Sequence, residues 1–282
     1  MDTRNEGLDI AAHAARVFAD TPWLHYGIWL PGETVSFTGL RAAQERYAEK
    51  LLALIPPAPR RILDIGGGMG ELAARLVTLG HDVEMITPSS TQAKFARERL
   101  GDTAKVTQST FEHYAGAGPF DVCLWSESFQ YVPLDASLPK MKTLLAPDGV
   151  VVIADNFRRA DFPGGRAPGK GHRWDIFEAR AAAEGFEILG NEDVTALVAP
   201  SMLLDQKFYR EFASPVLTQL DAYGRSRRPL LHGIGLTVLK LFMNRRRREA
   251  FAARLKADYR SPEAFLAANT YRFLKLGLGA TR

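Results

Sequence analysis

The chain has 282 residues, 46% of them hydrophobic and 24% charged, which is enough apolar surface for one large core and excludes disorder as its default state. A formal net charge of +4, with basic residues mostly dispersed rather than interleaved with aromatics, argues against a nucleic-acid partner. The single cysteine, Cys123, excludes an internal disulfide and fits a reducing cytosol, and no His, Asp or Glu set stands at ligand spacing, so no metal is expected.

The first 20 residues place Leu8, Ile10, Ala11, Ala14, Ala15, Val17 and Phe18 at helical spacing and carry acidic residues. That pattern predicts a helical lid rather than a secretory signal or membrane span, and hence a cytoplasmic protein. A loop containing His25-Tyr26-Gly27-Ile28-Trp29 follows, then a helix from about Gly39 to Ile55 that Pro56, Pro57 and Pro59 end.

From Arg61 short apolar runs alternate with amphipathic stretches, the pattern of a mostly parallel α/β sheet with helices on both faces. Strands are predicted at Arg61–Ile65, Asp82–Thr87, Ala104–Gln108, Phe120–Trp125, Gly149–Asp155, Phe186–Val194 and Tyr271–Leu276. Helices are predicted to start near Gly70, Ser90 and Ser137, and another to cover Trp174–Glu184. Between Val194 and Tyr271 the alternation stops, and helical stretches at Phe208–Tyr223, Gly235–Phe242 and Arg245–Tyr259 suggest a cap inserted before the last strand. The expected division is a lid at 1–58, a Rossmann-like core at 59–196, a cap at 197–269 and a final core strand at 270–282. The default ligand site of such a seven-stranded sheet is the crevice at the carboxyl ends of its strands.

The strongest local signal is Ile62-Leu63-Asp64-Ile65-Gly66-Gly67-Gly68-Met69-Gly70, an apolar strand running into a glycine-rich turn before a helix. Such a turn lets backbone approach a ligand and present N–H groups, although by itself it is equally a tight connection. The dinucleotide fingerprint G-x-G-x-x-G fails here, because its last position falls on Glu71 or Ala73.

The spacing instead resembles motif I of class I S-adenosyl-L-methionine (SAM)-dependent methyltransferases, which implies a Rossmann-like fold with SAM as cofactor. The resemblance implies that Gly66, Gly67, Gly68 and Gly70 cradle the methionine part of SAM and that Asp64 orients it. Thr87-Pro88-Ser89-Ser90-Thr91-Gln92 resembles the T-x-S-x-x-Q variant of the cyclopropane-fatty-acid-synthase and tocopherol-methyltransferase-like branch, which implies Thr87 and Gln92 at the ribose. Thr110, Phe111 and Glu112 stand where the family places its adenine contacts. Trp125-Ser126-Glu127-Ser128-Phe129-Gln130-Tyr131 is similar to the W-S-x-E-S-x-E-H stretch beside the sulfonium, which implies Trp125 and Ser126 near the cofactor.

Cyclopropane synthases end that stretch in Glu-His, whereas this chain has Gln130-Tyr131, so simple methyl transfer is favoured. His25-Tyr26-Gly27-Ile28-Trp29 resembles the branch's H-Y-G-x-W element, a loop over SAM, with Tyr26 the candidate for its carboxylate. Tyr131, Glu127 and His25 are the candidates to face the acceptor and take its proton.

In the cap, the apolar run Leu230–Met243 is too short to span a bilayer and leads directly into Arg245–Arg248. A core helix with a solvated turn explains it; so does a lipophilic acceptor tunnel, or peripheral contact with an anionic membrane. The expected function is methylation of an oxygen, nitrogen or carbon of a small, lipophilic, natural-product-like acceptor. A cyclopropane-synthase-like lipid-modifying enzyme and a non-catalytic SAM-binding scaffold are the alternatives.

Overall fold

The computed structural model describes residues 17, 19–165, 167–227 and 260–279. The expected lid helix, Leu230–Met243, Arg245–Arg248 and the helices predicted at Gly235–Phe242 and Arg245–Tyr259 lie outside the described residues, apart from Val17 and Ala19 of the lid.

Seven strands form one sheet: β1 Arg61–Ile65, β2 Asp82–Thr87, β3 Lys105–Gln108, β4 Phe120–Ser126, β5 Leu145–Arg158, β6 Phe186–Asp193 and β7 Asn269–Leu278. Their order is β3-β2-β1-β4-β5-β7-β6. All neighbours pair in parallel except those of β7, which runs antiparallel to both β5 and β6. β5 is longer than its apolar run predicts. Both of its ends are held by pairing, Leu145 to Phe120 at the start and Arg158 to Asn269 at the end.

The helices are α1 Phe37–Leu52, α2 Glu71–Thr78, α3 Ser90–Leu100, α4 Leu134–Leu144, α5 Trp174–Ala183, α6 Thr195–Val198, α7 Ser201–Lys207, α8 Ser214–Arg227 and α9 Pro262–Ala268. Capping explains several starts. The Ser36 hydroxyl accepts the Gly39 N–H, Ser89 accepts that of Gln92, and Ser261 accepts that of Ala264. The helix expected at Phe208–Tyr223 begins earlier, at Ser201, and passes through a π-helical stretch at Phe208–Ala213 before α8. No helix among the described residues is long and apolar enough to cross a membrane.

Strand alternation splits the core into two layers. On one face Ile62, Val83, Met85, Val122, Leu124, Val152 and Phe273 pack against Tyr47 and Leu51 of α1, Leu72 and Leu76 of α2, Ala96 of α3 and Phe265 of α9. On the other face Leu63, Cys123, Trp125, Val151, Ile153 and Leu274 pack against Leu138 and Met141 of α4 and Phe177 of α5. Both faces are covered, so the polar end of the sheet open to a ligand is its rim.

Candidate active site

The crevice begins at the end of β1. Gly66 has φ +79, a left-handed conformation that favours glycine, and a Cβ there would lie 2.4 Å from Cβ of Ser128. A Cβ on Gly67 would lie 2.3 Å from an oxygen of Asp64. The turn therefore presses directly on the Asp64 carboxylate and on the loop after β4. Its own backbone is tied down, since Gly66 and Gly67 N–H both donate to the Ile86 carbonyl and Gly70 N–H donates to Gly67. Gly68 sits beneath Leu24, whose Cδ1 is 3.5 Å from a Cβ built there, so the loop around His25 lies over the turn.

Asp64 is fully buried, and neither of its carboxylate oxygens has a hydrogen-bond partner. Burial pushes its pKa up to about 7. A native core rarely leaves a carboxylate orphaned, so these oxygens mark a place where a donor belongs. At the end of β2, Thr87 donates its hydroxyl to Oε1 of Gln92 at 3.1 Å. The Gln92 amide nitrogen is buried and unpartnered. An anionic acceptor and an amide donor thus stand unsatisfied at neighbouring strand ends, β1 and β2 being paired.

A second polar cluster lies where β4 ends beside Asp155 of β5. Glu127 follows the last residue of β4 and has φ +53, a left-handed conformation unusual for a side chain that is not glycine. Strand alternation would point residue 127 to the α4–α5 face, like Cys123 and Trp125. The left-handed backbone instead brings its carboxylate to the opposite layer, where Oε1 accepts the Tyr26 N–H at 2.7 Å and the Tyr271 hydroxyl at 2.8 Å. The Tyr271 and Tyr47 hydroxyls are 3.0 Å apart, and the Tyr47 hydroxyl is 3.3 Å from that of Ser126. Burial pushes Glu127 up to about 8, with the nearby charge of Asp155 adding to the rise against the two hydrogen bonds. Asp155, fully buried within β5 and paired with Arg272 of β7, accepts backbone N–H groups from Gln130 and Asn156 at 3.0 and 2.7 Å, and burial still raises it to about 7. Neither Asp155, Tyr47 nor Tyr271 carries a motif signal; the clue available was an aspartate closing an otherwise apolar strand.

The other expected site residues fall in different surroundings. The Trp125 ring is fully buried on the α4–α5 face, where its Nε1–H meets Sδ of Met141 at 3.0 Å. Phe111 packs edge-on to Trp125, centroids 4.8 Å apart, in the same layer. Thr110 and Glu112 are exposed at the rim, with the Thr110 hydroxyl 2.9 Å from Nδ1 of His113. Tyr26 already shares its hydroxyl with Arg260 at 3.3 Å, and Arg260 pairs with Asp205 at 2.5 Å. His25 stacks on Tyr47 at 4.0 Å, and burial lowers its pKa to about 4, which makes it a poor base at neutral pH. Tyr131 is exposed at the mouth, with Nζ of Lys170 5.6 Å from its ring.

The loop that carries these residues is stitched down on both sides. Ile28 N–H donates to Ala43 of α1, Trp29 N–H to Leu197, and the Trp29 indole N–H to the Ser201 hydroxyl at 3.0 Å. Among the described residues no group of three or more His, Cys, Asp or Glu is placed to hold a metal ion.

Comparison with known proteins agrees with this architecture. The family described as "Methyltransferase domain" matches residues 40–188. A malonyl-[acyl-carrier protein] O-methyltransferase of Geobacter sulfurreducens is 32% identical over 122 residues, 40% of this chain and 46% of that protein. The chain spans about half the length of the curated relatives it matches. Among solved structures, the [4+2]-cyclase SpnF superposes with a TM-score of 0.70 at 19% identity, covering 99% of this chain and 96% of that one. The cyclopropane synthase MmaA2 of Mycobacterium tuberculosis gives 0.68 at 15% identity, covering 96% and 97%. With more than half of the chain inside the family match, the chain belongs to the methyltransferase-domain family.

Proposed function

We propose that the protein is a SAM-dependent methyltransferase acting on an oxygen, nitrogen or activated carbon of a small, lipophilic acceptor. The observation that carries this reading is the buried, unpartnered Asp64 carboxylate behind a turn with no room for a Cβ at Gly66 or Gly67. These residues fit an adenosyl amino acid: Asp64 answers its ammonium group, the backbone of Gly66, Gly67, Gly68 and Gly70 lies along its methionine part, and Thr87 with the free amide of Gln92 answers the ribose hydroxyls. Thr110 and Glu112 stand at the rim for the base, and Ser126 borders the sulfur side. When bound, SAM supplies an electrophilic methyl group on a sulfonium. The protein's contribution is then alignment in a water-poor site, for which intramolecular models allow up to about 7–11 kcal/mol, together with a group that takes a proton. Glu127 and Tyr131 face that side. A carboxylate base suits an acceptor bearing O–H or N–H.

Titration calorimetry with SAM and with S-adenosylhomocysteine (SAH) tests the cofactor, expected to bind the native chain and to bind Asp64→Ala at least tenfold more weakly. No heat with either ligand on folded protein would sink the reading. Mass analysis of products from a panel of lipophilic alcohols, phenols and amines then identifies the atom methylated. A second reading keeps SAM and makes a ring. It draws on the cyclopropane synthase among the fold neighbours, while Gln130 and Tyr131 stand against it, supplying neither carboxylate nor imidazole. A product of unsaturated phospholipid carrying an extra ring methylene would select it, and tight SAM binding with no turnover anywhere would select a non-catalytic scaffold.

Contact with a membrane surface is part of the same proposal. Phe212, Val216, Leu217, Leu220 and Tyr223 are exposed along the π-helical stretch and α8, close in sequence to the basic run Arg245–Arg248. Co-sedimentation with anionic vesicles should weaken when those four arginines are replaced; unchanged binding removes this element.

A further inference from the structure

Glu127 follows the last residue of β4 and Asp155 lies on the adjacent, parallel β5, with Ser126 opposite Ala154 in the β4–β5 register and the Glu127 N–H donated to the Ala154 carbonyl at 2.9 Å. The two carboxylates differ in how they are held. Asp155 is fixed through both oxygens by the Gln130 and Asn156 N–H groups. Glu127 takes both of its donors, Tyr26 N–H and Tyr271 O–H, on Oε1, and Oε2 accepts neither of these bonds. The loop that carries Glu127 touches the glycine turn one residue further on, where Ser128 donates its hydroxyl to the Ile65 carbonyl and sets the distance to Gly66. The pair therefore lies against the edge of the cradle proposed for SAM. A left-handed backbone at Glu127 is maintained for this placement.

We propose that Glu127 and Asp155 form one proton-holding unit, in which Asp155 is a positioning residue and entry of a cationic cofactor expels the shared proton, arming Glu127 Oε2 to accept the proton of an O–H or N–H acceptor. The proposal rests on the cofactor reading above. The charge of Asp155 adds to the rise of Glu127, and a sulfonium arriving beside the two carboxyls reverses that balance. Both carboxyls are accordingly held above the usual carboxylate range by burial, and Glu127 also by its neighbour. The other titratable groups facing the unit are Tyr26 from the loop, Tyr47 from α1, Tyr131 from the turn after β4 and Tyr271 from β7. Burial pushes Tyr26 to about 12 and raises Tyr47 and Tyr271, and partial desolvation with the charges of Asp155 and Glu127 raises the more exposed Tyr131, so all four stay neutral while the carboxyls titrate. Arg260, whose charge acts on Tyr26 and Tyr131, is balanced by Asp205. In the transfer step the acceptor's lone pair forms the new bond to the methyl carbon, the S–CH3 pair stays on sulfur to leave neutral SAH, and the acceptor's proton passes to Glu127. One cation, one anion and one neutral acceptor become three neutral products.

The test needs no acceptor. Calorimetric titration of the full chain with SAM and with SAH, in buffers of different ionisation enthalpy between pH 6 and 9.5, counts protons exchanged on binding. The native chain is expected to release more protons to SAM than to SAH near pH 7 to 8. Glu127→Gln should remove that excess, and Asp155→Asn should move its midpoint downward by roughly one pH unit, because Glu127 loses the neighbouring charge. SAH affinity within about threefold of native in both variants reports an intact fold and cradle. An excess that survives Glu127→Gln overturns the unit, and a midpoint unmoved by Asp155→Asn overturns the role of Asp155. Absence of heat with both ligands instead fails the cofactor reading itself and takes the proposal with it.

Discussion

The two polar clusters at the rim of the sheet solve opposite problems. At the ends of β1 and β2, Asp64 and the Gln92 amide are buried with no partner, so the fold holds unsatisfied groups whose energy only a ligand relieves. Just past β4 and within β5, the half-buried Glu127 and the fully buried Asp155 are answered from within, by Tyr26, Tyr271, Gln130 and Asn156. The first arrangement suits binding and the second suits holding a proton. The contrast also orders the consequences of mutation, since damage at β4 and β5 should fall on turnover and damage at β1 and β2 on affinity.

The largest expected effect is on the proton-holding side. Glu127→Gln should lower kcat about 10²–10⁴-fold while SAH affinity stays within about threefold, measured by steady-state kinetics and calorimetry. An equal loss in SAH affinity would erase the distinction between the clusters. Gly66→Ala strikes the seam where both meet, at φ +79 and 2.4 Å from Ser128. It should cost about 2–4 kcal/mol in urea unfolding and abolish SAH binding.

Asp64→Asn sharpens the binding side through pH. With its folded pKa raised to about 7, Asp64 holds a proton that the unfolded chain has already lost above its ordinary value near 4. Its contribution to stability is therefore present at low pH and lost as pH rises through about 4 to 7. Asp64→Asn should flatten that fall and leave the ligand-free protein on the order of 2 kcal/mol more stable at pH 8, read from thermal melts across pH. A steeper fall in the variant would contradict the assignment. Gln92→Ala should weaken SAM about tenfold by removing one hydrogen-bonding group. Trp125→Phe should be the mildest, changing stability by about 1 kcal/mol and SAM affinity less than twofold, because the indole sits on the far face of the sheet.

Much of the frame was legible because it rests on local rules. The starts of β1 and β2 fall where the apolar runs begin, and Ser89 caps α3 as its type suggests. Facing was harder to read. Trp125 lies inside a motif stretch, yet the period-two alternation of β4 sends its ring to Met141, and Phe111 follows it. Glu127 departs from the same alternation because one left-handed residue reverses its direction. His25 stands in the sequence as one of three candidates to face the acceptor. Its stacking on Tyr47, which no pattern announces, buries it and weakens it.

By itself the sequence determined that a mostly parallel α/β sheet would form and that a glycine turn would close its first strand, because apolar periodicity and glycine's freedom act over a few residues. Only the tertiary structure decided which polar groups meet. Tyr47 and Tyr271 are 224 positions apart and meet at 3.0 Å, and Glu127 meets a loop 101 positions before it. Such meetings are settled by strand order and by burial, which raises or lowers each pKa, and neither is written in any short stretch of chain.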